Sequence, residues 1–473
     1  MTGHRTLSLC FPLLLSGCAG WSPVAVTPLP EPALVEQWQQ AASSGVEVSA
    51  GPQPWLQRFA DPELDELVAV ALRANPLLTQ ARARLREGEA QAQVVGAPSQ
   101  LQLDAGLQAG RTRRNTISSN SFTADLSLSW EPDLWGRLSA AAQAAVVDRA
   151  ALREELRDAQ LSLAANLAKA WFAAAEAEQQ RRLSQQLVDN LSQSLQVLEE
   201  GYQRGIVAAL DIHLARANLA SEQGRLAERQ RALSDRVRAL ELLLGRYPAR
   251  ELTIPSQLPP LPGAVPLGLP SELLTRRPDI RAASARLQSA ELRQRAAHKD
   301  RFPRFSLTAS LGGSSSELGR LLNQQNLFWT LFGNLSQPLL DGGRLQGLEL
   351  QAAARWEQAQ AQYVDTLLQA FAEVEGALEQ ERALSQLNAS LTVSVEESDL
   401  AEALAFEQYR QGLVDIVTVL EAQRRAFSAR STHIEARNRQ LQNRIDLYLA
   451  LGGDFAATAP TESRHGNNDH DQS

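Results

Sequence analysis

Hydrophobic positions along the chain follow two different periods, and the change from one to the other occurs twice. Residues 64–95 and 272–298 place apolar side chains three and four positions apart, which predicts helices. Each is followed by two segments in which apolar and polar residues alternate, the pattern of strands with one apolar face. The connectors 112–121 and 312–326 are rich in Ser, Asn and Gly and are predicted to be exposed loops. The apolar positions of the four segments are Leu101, Leu103, Ala105, Leu107 and Ala109; Phe122, Ala124, Leu126, Leu128 and Trp130; Phe305, Leu307, Ala309 and Leu311; and Trp329, Leu331, Gly333 and Leu335.

Two very long helices are predicted after the strands. The chain has no proline between Pro132 and Pro248, nor between Pro338 and Pro460, and apolar or Ala residues recur there three and four positions apart. This heptad-like spacing predicts helices that pack side by side. Residues 135–201 and 343–408 would each form a helix of about 65 residues, which spans roughly 100 Å at 1.5 Å per residue. No globular core requires helices of that length.

The two halves of the chain share short stretches of sequence as well as this plan. YQRGIV at 202–207 aligns with YRQGLV at 409–414, and GRL at 136–138 aligns with GRL at 343–345. We predict a first repeat at 55–260, a linker at 261–269 and a second repeat at 270–455. A lipidated segment at 18–54 precedes the repeats, and a polar tail at 456–473, predicted to be disordered, follows them.

The N-terminal sequence resembles a targeting signal. Residues 1–17 contain a short polar start and an apolar core, which predicts a signal peptide. The sequence LSGC at 15–18 is similar to a bacterial lipoprotein box, with cleavage before Cys18 and acylation of the sulfur and the new amino group. An ordinary signal peptide that happens to carry a cysteine is the alternative. Ala19 stands where an Asp would resemble an inner-membrane retention signal, which favours the outer membrane.

Composition narrows the class of protein further. The 473 residues include 46 Lys and Arg against 54 Asp and Glu, a net charge of −8, so nucleic-acid binding is not expected. The mean hydropathy is −0.25, and no internal run reaches the roughly 18 apolar residues of a membrane-spanning helix. Only β-strands could then cross a membrane. Four strands are too few to close a membrane barrel, since the smallest barrels have about eight strands. Because open edges are not tolerated in lipid, other copies must supply strands: two copies give about eight, and three give about twelve, enough for a lumen.

Several motifs resemble those of the TolC-like outer-membrane efflux family, and the lipoprotein box resembles its OprM/NodT-type branch. They are WEPDLWGR at 130–137, RRPDIR at 276–281, FPR at 302–304 and QPLLDGGRL at 337–345. Ser284 departs from the usual Glu of that family. The resemblance implies a fold that is α+β and mainly α: a trimeric outer-membrane β-barrel, four strands per chain, continued by a long periplasmic α-helical barrel. It implies a passive channel-tunnel for drugs, toxic organics or metals, working with a periplasmic adaptor (membrane fusion) protein and an inner-membrane RND-type pump.

The resemblance also implies where the tunnel closes. Gly205 and Gly412 would mark the turns that join the long helices at the periplasmic tip, because glycine permits the positive φ that ends a helix. By position, Tyr409 matches the aromatic residue that ties the inner helices together, and Glu421 matches an acidic ring at the constriction. Asp415, Arg424 and Asp211 are possible helpers. The alternative is that these are ordinary charges on helix surfaces.

Enzymatic and metal sites are not indicated. His213, His298 and His433 stand singly on predicted helices and are interpreted as packing or surface residues; metal binding by His465 and His470 in the tail is an alternative. No cofactor is predicted beyond the acyl groups on Cys18. The competing function is a periplasmic coiled-coil lipoprotein scaffold without channel activity, which explains the long helices but not the four strands. A surface lipoprotein enzyme would need a polar catalytic cluster, and the sequence shows none.

Overall fold

The computed structural model describes residue 38, residues 55–263, residue 265 and residues 270–453. The predicted signal peptide 1–17, the predicted acylation site Cys18 and the tail 456–473 lie outside the described residues, as do parts of 18–54 and 261–269. The chain divides into two compact units. The first contains Ala81–Leu156 and Asp279–Leu368, and the second contains 55–80, Arg157–Pro278 and 369–453.

The first unit contains a four-stranded antiparallel sheet in the order β1-β2-β3-β4. Its strands are β1 (Gln102–Arg114), β2 (Ile117–Trp130), β3 (Arg304–Ser315) and β4 (Leu327–Ser336). The predicted strands are confirmed, but the prediction that 112–121 is a loop is wrong. Pairing continues through Arg114 and Ile117, and Asn115 has a φ of 54°, so the connection is a tight hairpin. Backbone ladder bonds do not require apolar side chains, which is why the strands extend past the end of the apolar pattern.

The register gives this sheet one apolar and one polar face. Leu103, Leu128, Ala309 and Leu331 lie in one cross-strand row, since Leu103 pairs with Leu128, Leu128 with Ala309 and Ala309 with Leu331. Because side chains alternate between faces, the neighbouring positions form the second face. That second face carries mainly Ser, Thr, Asn, Gln and Asp side chains: Asp104, Gln108, Thr123, Asp125, Ser127, Ser129, Ser306, Thr308, Ser310, Thr330 and Asn334.

The shorter helices are interrupted where proline occurs. The region predicted as one helix at 64–95 is two helices, α1 (Pro62–Ala74) and α2 (Pro76–Gly96). The break lies at Asn75, which has an extended ψ of 128° and accepts the N–H of Leu77 at 2.8 Å. A residue before proline is disfavoured in the helical conformation, so this correction follows from Pro76. The region predicted at 272–298 likewise divides into α5 (Leu273–Arg276) and α6 (Pro278–Lys299).

The predicted long helices are present. They are α3 (Arg137–Gln203) and α7 (Arg344–Arg410), each of 67 residues, and each is followed by a helix of 35 residues, α4 (Ala209–Leu243) and α8 (Ile416–Ala450). Among the residues that the structure describes, no helix is both long enough and apolar enough to cross a membrane.

The second unit has an aromatic core. The ring of Phe59 lies 5.2 Å from that of Phe172, and the ring of Trp55 lies 5.9 Å from that of Tyr448. The buried indole of Trp171 donates to the carboxylate of Asp61 at 2.7 Å. That carboxylate also accepts the N–H of Leu64 and caps α1. These contacts join the start of α1 to α3 and the end of α8.

Candidate functional site

Both long helices end at a glycine turn built in the same way. Gly205 and Gly412 have φ values of 76° and 72°, the left-handed conformation that favours glycine. The N–H of Gly205 donates to Tyr202 O at 2.9 Å, and that of Gly412 donates to Tyr409 O at 2.9 Å. The following amides reach back five residues, each at 2.9 Å, which completes the hydrogen-bond pair of a Schellman cap. The structure thus places Gly205 between α3 and α4, and Gly412 between α7 and α8.

Asp415 begins helix α8. Its carboxylate accepts the backbone N–H of Thr418 at 2.9 Å and the Thr418 hydroxyl at 2.7 Å. These hydrogen bonds lower the pKa of Asp415 below its ordinary value. The residue therefore acts as an N-cap, a role that sequence reasoning missed although Asp at a helix start is a known capping signal.

An apolar cluster joins the two turns within the second unit. Its buried members are Leu198, Ala215, Ala405, Ile416 and Val419, one or more from each of the four helices that meet here. Tyr409 packs against this cluster and is half-buried. Burial, and then the negative charge of Asp211, raise the pKa of the Tyr409 phenol. Two predicted gate residues from different halves of the chain are thus brought together.

Glu421 is held by two arginines of its own helix. Its carboxylate accepts bonds from Arg424 at 2.8 and 2.9 Å and from Arg425 at 2.9 Å, which lowers its pKa to about 2. The sequence indicates Glu421 and Arg424 as separate gate candidates but does not indicate Arg425. Its signal was the spacing, because residues three and four apart face each other on a helix. The three side chains together carry a net positive charge.

A cavity of about 360 Å³ lies beside Tyr409 and the apolar cluster in the second unit. Its lining is mostly apolar and includes Val197, Leu198, Phe406, Tyr409, Val419 and Gln423. The predicted gate residues therefore fall into two groups. Tyr409 and Asp211 lie beside the apolar cluster, while Asp415 and Glu421 make their hydrogen bonds within α8.

The motifs at the ends of the strands have structural roles in the first unit. Asp133 accepts the N–H groups of Leu138 and Ser139 at 3.0 and 2.7 Å, and so caps the start of α3. Asp341 does the same before α7, accepting the N–H of Leu345 at 3.0 Å. Hydrogen bonds of this kind lower the pKa of both carboxyls.

His298 has a hydrogen-bond partner that the sequence alone does not indicate. His298 Nδ1 lies 2.8 Å from the carboxylate of Glu349, which is fully buried and also accepts from Arg301 at 2.7 Å. The sequence separation of Glu349 from His298 concealed this contact. In the described part of the chain, no group of three or more His, Cys, Asp or Glu is arranged to hold a metal ion.

Comparison with known proteins identifies the family to which the chain belongs. The profile of the family described as Outer membrane efflux protein matches residues 67–246 and 269–453. The chain belongs to this family. Among its efflux relatives, the pyoverdine export outer membrane protein OpmQ of Pseudomonas putida is 32% identical over 439 residues, 90% of this chain and 93% of OpmQ. The cation efflux system protein CusC of Escherichia coli is 29% identical over 468 residues, 96% of this chain and all of CusC (100%).

A solved structure of this efflux family has the same fold. The outer-membrane channel OprN aligns with a TM-score of 0.83 at 27% identity, covering 91% of this chain and 99% of OprN. This efflux protein is therefore an outer-membrane channel of a tripartite pump that extends into the periplasm. That confirms the function predicted from the motifs and favours a channel over a coiled-coil scaffold.

Proposed function

We propose that three copies of this efflux protein form one channel, a twelve-stranded barrel to which each copy contributes its four-stranded sheet. The observation that carries the proposal is the sheet with one apolar and one polar face and with β1 and β4 at its two edges. Both edges need partners in lipid, where unpaired backbone groups cost several kcal/mol each. Twelve strands leave room for a lumen, which the polar face would line.

The length of the apolar face fits a membrane. On β2 it runs from Phe122 to Trp130, about 27 Å along the strand at 3.4 Å per residue. Strands in such barrels are tilted, so this becomes roughly 20 Å along the membrane normal, close to the apolar band of about 25 Å in known barrels. Trp130 at one end is a residue type that favours the membrane boundary.

We propose that the helices continue the channel as a helical barrel and that the chain is an internal repeat. The equal lengths of α3 and α7, and of α4 and α8, support two copies of one plan. The turns at Gly205 and Gly412 would then lie together at the far end of the helices. Tyr409, Asp415, Glu421, Arg424 and Asp211 are the proposed gate residues there, since they surround the second turn and the cluster beside it.

The proposed partners are a periplasmic adaptor and an inner-membrane RND-type pump, with this chain as a passive exit duct that carries out no catalysis. Related proteins are named for pyoverdine export, cation efflux and toluene efflux. A duct of this kind selects weakly, so the transported class, whether metals, toxic organics or drugs, would be set by the pump. No resident cofactor takes part in this proposal.

A second anchor is proposed at Cys18, through N-acyl and S-diacylglycerol groups. The lipoprotein box supports it, and a related protein is described as a probable outer membrane lipoprotein, SilC of Salmonella typhimurium. Mass spectrometry of the N-terminal peptide tests it: an acylated Cys18 is expected, and an unmodified terminus at another residue contradicts it. Cys18→Ser should leave some channel in the membrane, because the barrel is itself an anchor.

Two neighbouring residues of β1 test the channel. Leu107 lies on the apolar face and Gln108 on the polar face. Leu107→Arg, one row from the middle of the apolar face, should cost up to about 2 kcal/mol per copy and reduce insertion, whereas Gln108→Arg should insert normally and change the conductance. Wild-type protein should have a native mass near three times the chain in detergent. A stable monomer or dimer contradicts the trimer, and equal behaviour of the two variants contradicts the assignment of the faces.

A further inference from the structure

The apolar face of the sheet ends in arginines at the hairpin end of β1. Leu103, Ala105, Leu107 and Ala109 occupy alternate positions of β1, and the next two on the same face are Arg111 and Arg113. Arg111 pairs with Asn120 and Arg113 with Ser118, whereas Ala109 pairs with Phe122. The two guanidinium groups therefore belong to the first two rows beyond the apolar surface.

These arginines carry unbalanced charge. Between Asp104 and Asp125 the hairpin has three arginines and no acidic residue. Arg111, Arg113 and Arg114 are exposed, and none has an ion pair among the described residues. The other hairpin differs, because its Arg320 pairs with Glu317 at 3.0 Å. Of the two hairpins of this sheet, only the β1–β2 hairpin therefore has a cluster of arginines without acidic partners.

The position of this arginine cluster fixes which leaflet it meets. All four strands join the helices at one end and form hairpins at the other. With the helices in the periplasm, the hairpins lie on the cell exterior. This inference rests on the membrane position proposed above for the strands. Arg111 is then about 7 Å and Arg113 about 14 Å along the strand beyond Ala109, at the depth of the lipid headgroups.

We propose that Arg111 and Arg113 form a binding site for the phosphate groups of the glycolipid that makes up the outer leaflet of the outer membrane. A guanidinium matches a phosphate with two parallel hydrogen bonds and keeps its charge at every physiological pH. Clusters of basic residues beside an apolar membrane surface bind anionic headgroups. Arg114 points to the opposite face of the strand and belongs to the mouth of the channel instead.

Binding of fluorescent diphosphorylated lipid A to the full-length detergent-solubilised protein tests the site. Arg111→Gln with Arg113→Gln should weaken binding by roughly tenfold to a hundredfold, as expected for the loss of charged hydrogen bonds. Arg111→Lys with Arg113→Lys should fall between this variant and the wild type, because the charge remains without the planar fork. The matched controls Arg114→Gln and Arg320→Gln should bind like the wild type. Chelation of divalent cations by EDTA should not release the lipid.

Four results would overturn the proposal. They are equal binding of dephosphorylated lipid A, equal binding of phosphatidylglycerol, displacement by inorganic phosphate at millimolar concentration, or an effect of Arg114→Gln as large as that of the double variant. The proposal would also be overturned if Glu317→Gln and the double variant lowered the stability of the trimer equally, because the arginines would then pair with Glu317 of another copy and not with lipid. Conductance in bilayers of phospholipid alone separates the two proposals. If the Arg111→Gln, Arg113→Gln variant conducts normally but no longer binds lipid A, both proposals are supported. If the wild-type protein does not conduct, only the proposed function is contradicted.

Discussion

The two glycine turns share a sequence motif, yet their side chains make different contacts. Tyr202 is 50% exposed, whereas its counterpart Tyr409 packs against the apolar cluster. Helix α4 starts at Ala208 without a side-chain cap, whereas α8 starts at Asp415 with one. The helices at the first turn are joined by an ion pair, Glu199 with Arg216 at 2.7 Å. At the second turn, Phe406 and Gln423 occupy the matching positions and line the cavity.

The two turns therefore share a backbone geometry but differ in the contacts of their side chains. The backbone geometry of both turns depends on a glycine at positive φ, so it is the same although the neighbouring residues differ. The side chains then decide what each turn contacts. Beyond the shared apolar cluster, the first turn has an exposed ion pair, which contributes about 0.2–1 kcal/mol and is weakened by salt. The second has a half-buried tyrosine, a cap and a charged triad, which is why the gate is proposed there.

Loss of the buried cluster should have the largest effect. Ile416→Ala removes a side chain that is 4% exposed and should destabilise the tip by about 2–5 kcal/mol. Hydrogen–deuterium exchange should then accelerate in peptides of both turns, because the cluster takes residues from four helices. Val417→Ala, at the adjacent 52% exposed position, is the control and should leave exchange unchanged. Faster exchange at the second turn alone would show that the cluster does not couple the turns.

Charge at the second turn should control ion selectivity. Glu421→Gln removes the negative charge beside Arg424 and Arg425, so we expect the reversal potential in planar bilayers to shift toward anions. The pKa of Glu421 is lowered from 4.5 to about 2. The carboxylate therefore keeps its negative charge at every pH above about 4.5, and it loses this charge only as the pH falls through about 2. Wild-type selectivity should therefore not change between about pH 7 and pH 5. An equal shift in Glu407→Gln would argue against a special role for Glu421.

Removing the polar groups of Tyr409 and Asp415 at the second turn should make the resting channel more open. Tyr409→Phe with Asp415→Ala should raise single-channel conductance, whereas Tyr202→Phe at the first turn should not. Because Asp415 caps α8, Tyr409→Phe with Asp415→Asn separates the two roles: Asn keeps the cap and removes the charge. Higher conductance in the Ala variant only would assign the effect to the cap. Unchanged conductance in all three variants would place the constriction elsewhere.

Adding the missing cap to the first turn should have the smallest effect. Ala208 has the extended backbone of an N-cap, with φ −76° and ψ 150°. Ala208→Ser should therefore stabilise the start of α4 by about 0.5–1 kcal/mol, seen as slower hydrogen exchange in residues 209–212. Asp415→Ser exchanges one good capping residue for another and should leave the start of α8 unchanged. Faster exchange in Ala208→Ser would mean that the serine is not accommodated.

The sequence by itself determined the elements and the family. Long stretches with period 3.6 and short ones with period 2 need no tertiary information to be recognised, because each reflects one face of a local structure. The turn glycines at 205 and 412 were predictable for the same reason, since positive φ is a local requirement. The differences from the predicted elements are local as well. The helix breaks before Pro76 and Pro278 follow from the proline positions in the sequence. The hairpin at Asn115 does not show in the hydrophobic pattern because its side chains are polar.

Only the tertiary structure decided which side chains meet. Asp211 and Tyr409 lie in different halves of the chain, and so do Ala215 and Ile416, so no periodicity connects them. The burial of Glu349 beside His298, and the difference between Tyr202 and Tyr409, likewise depend on which helices pack together. Such contacts are set by the packing of whole helices, because desolvation and charge pairing depend on distance in space and not along the chain.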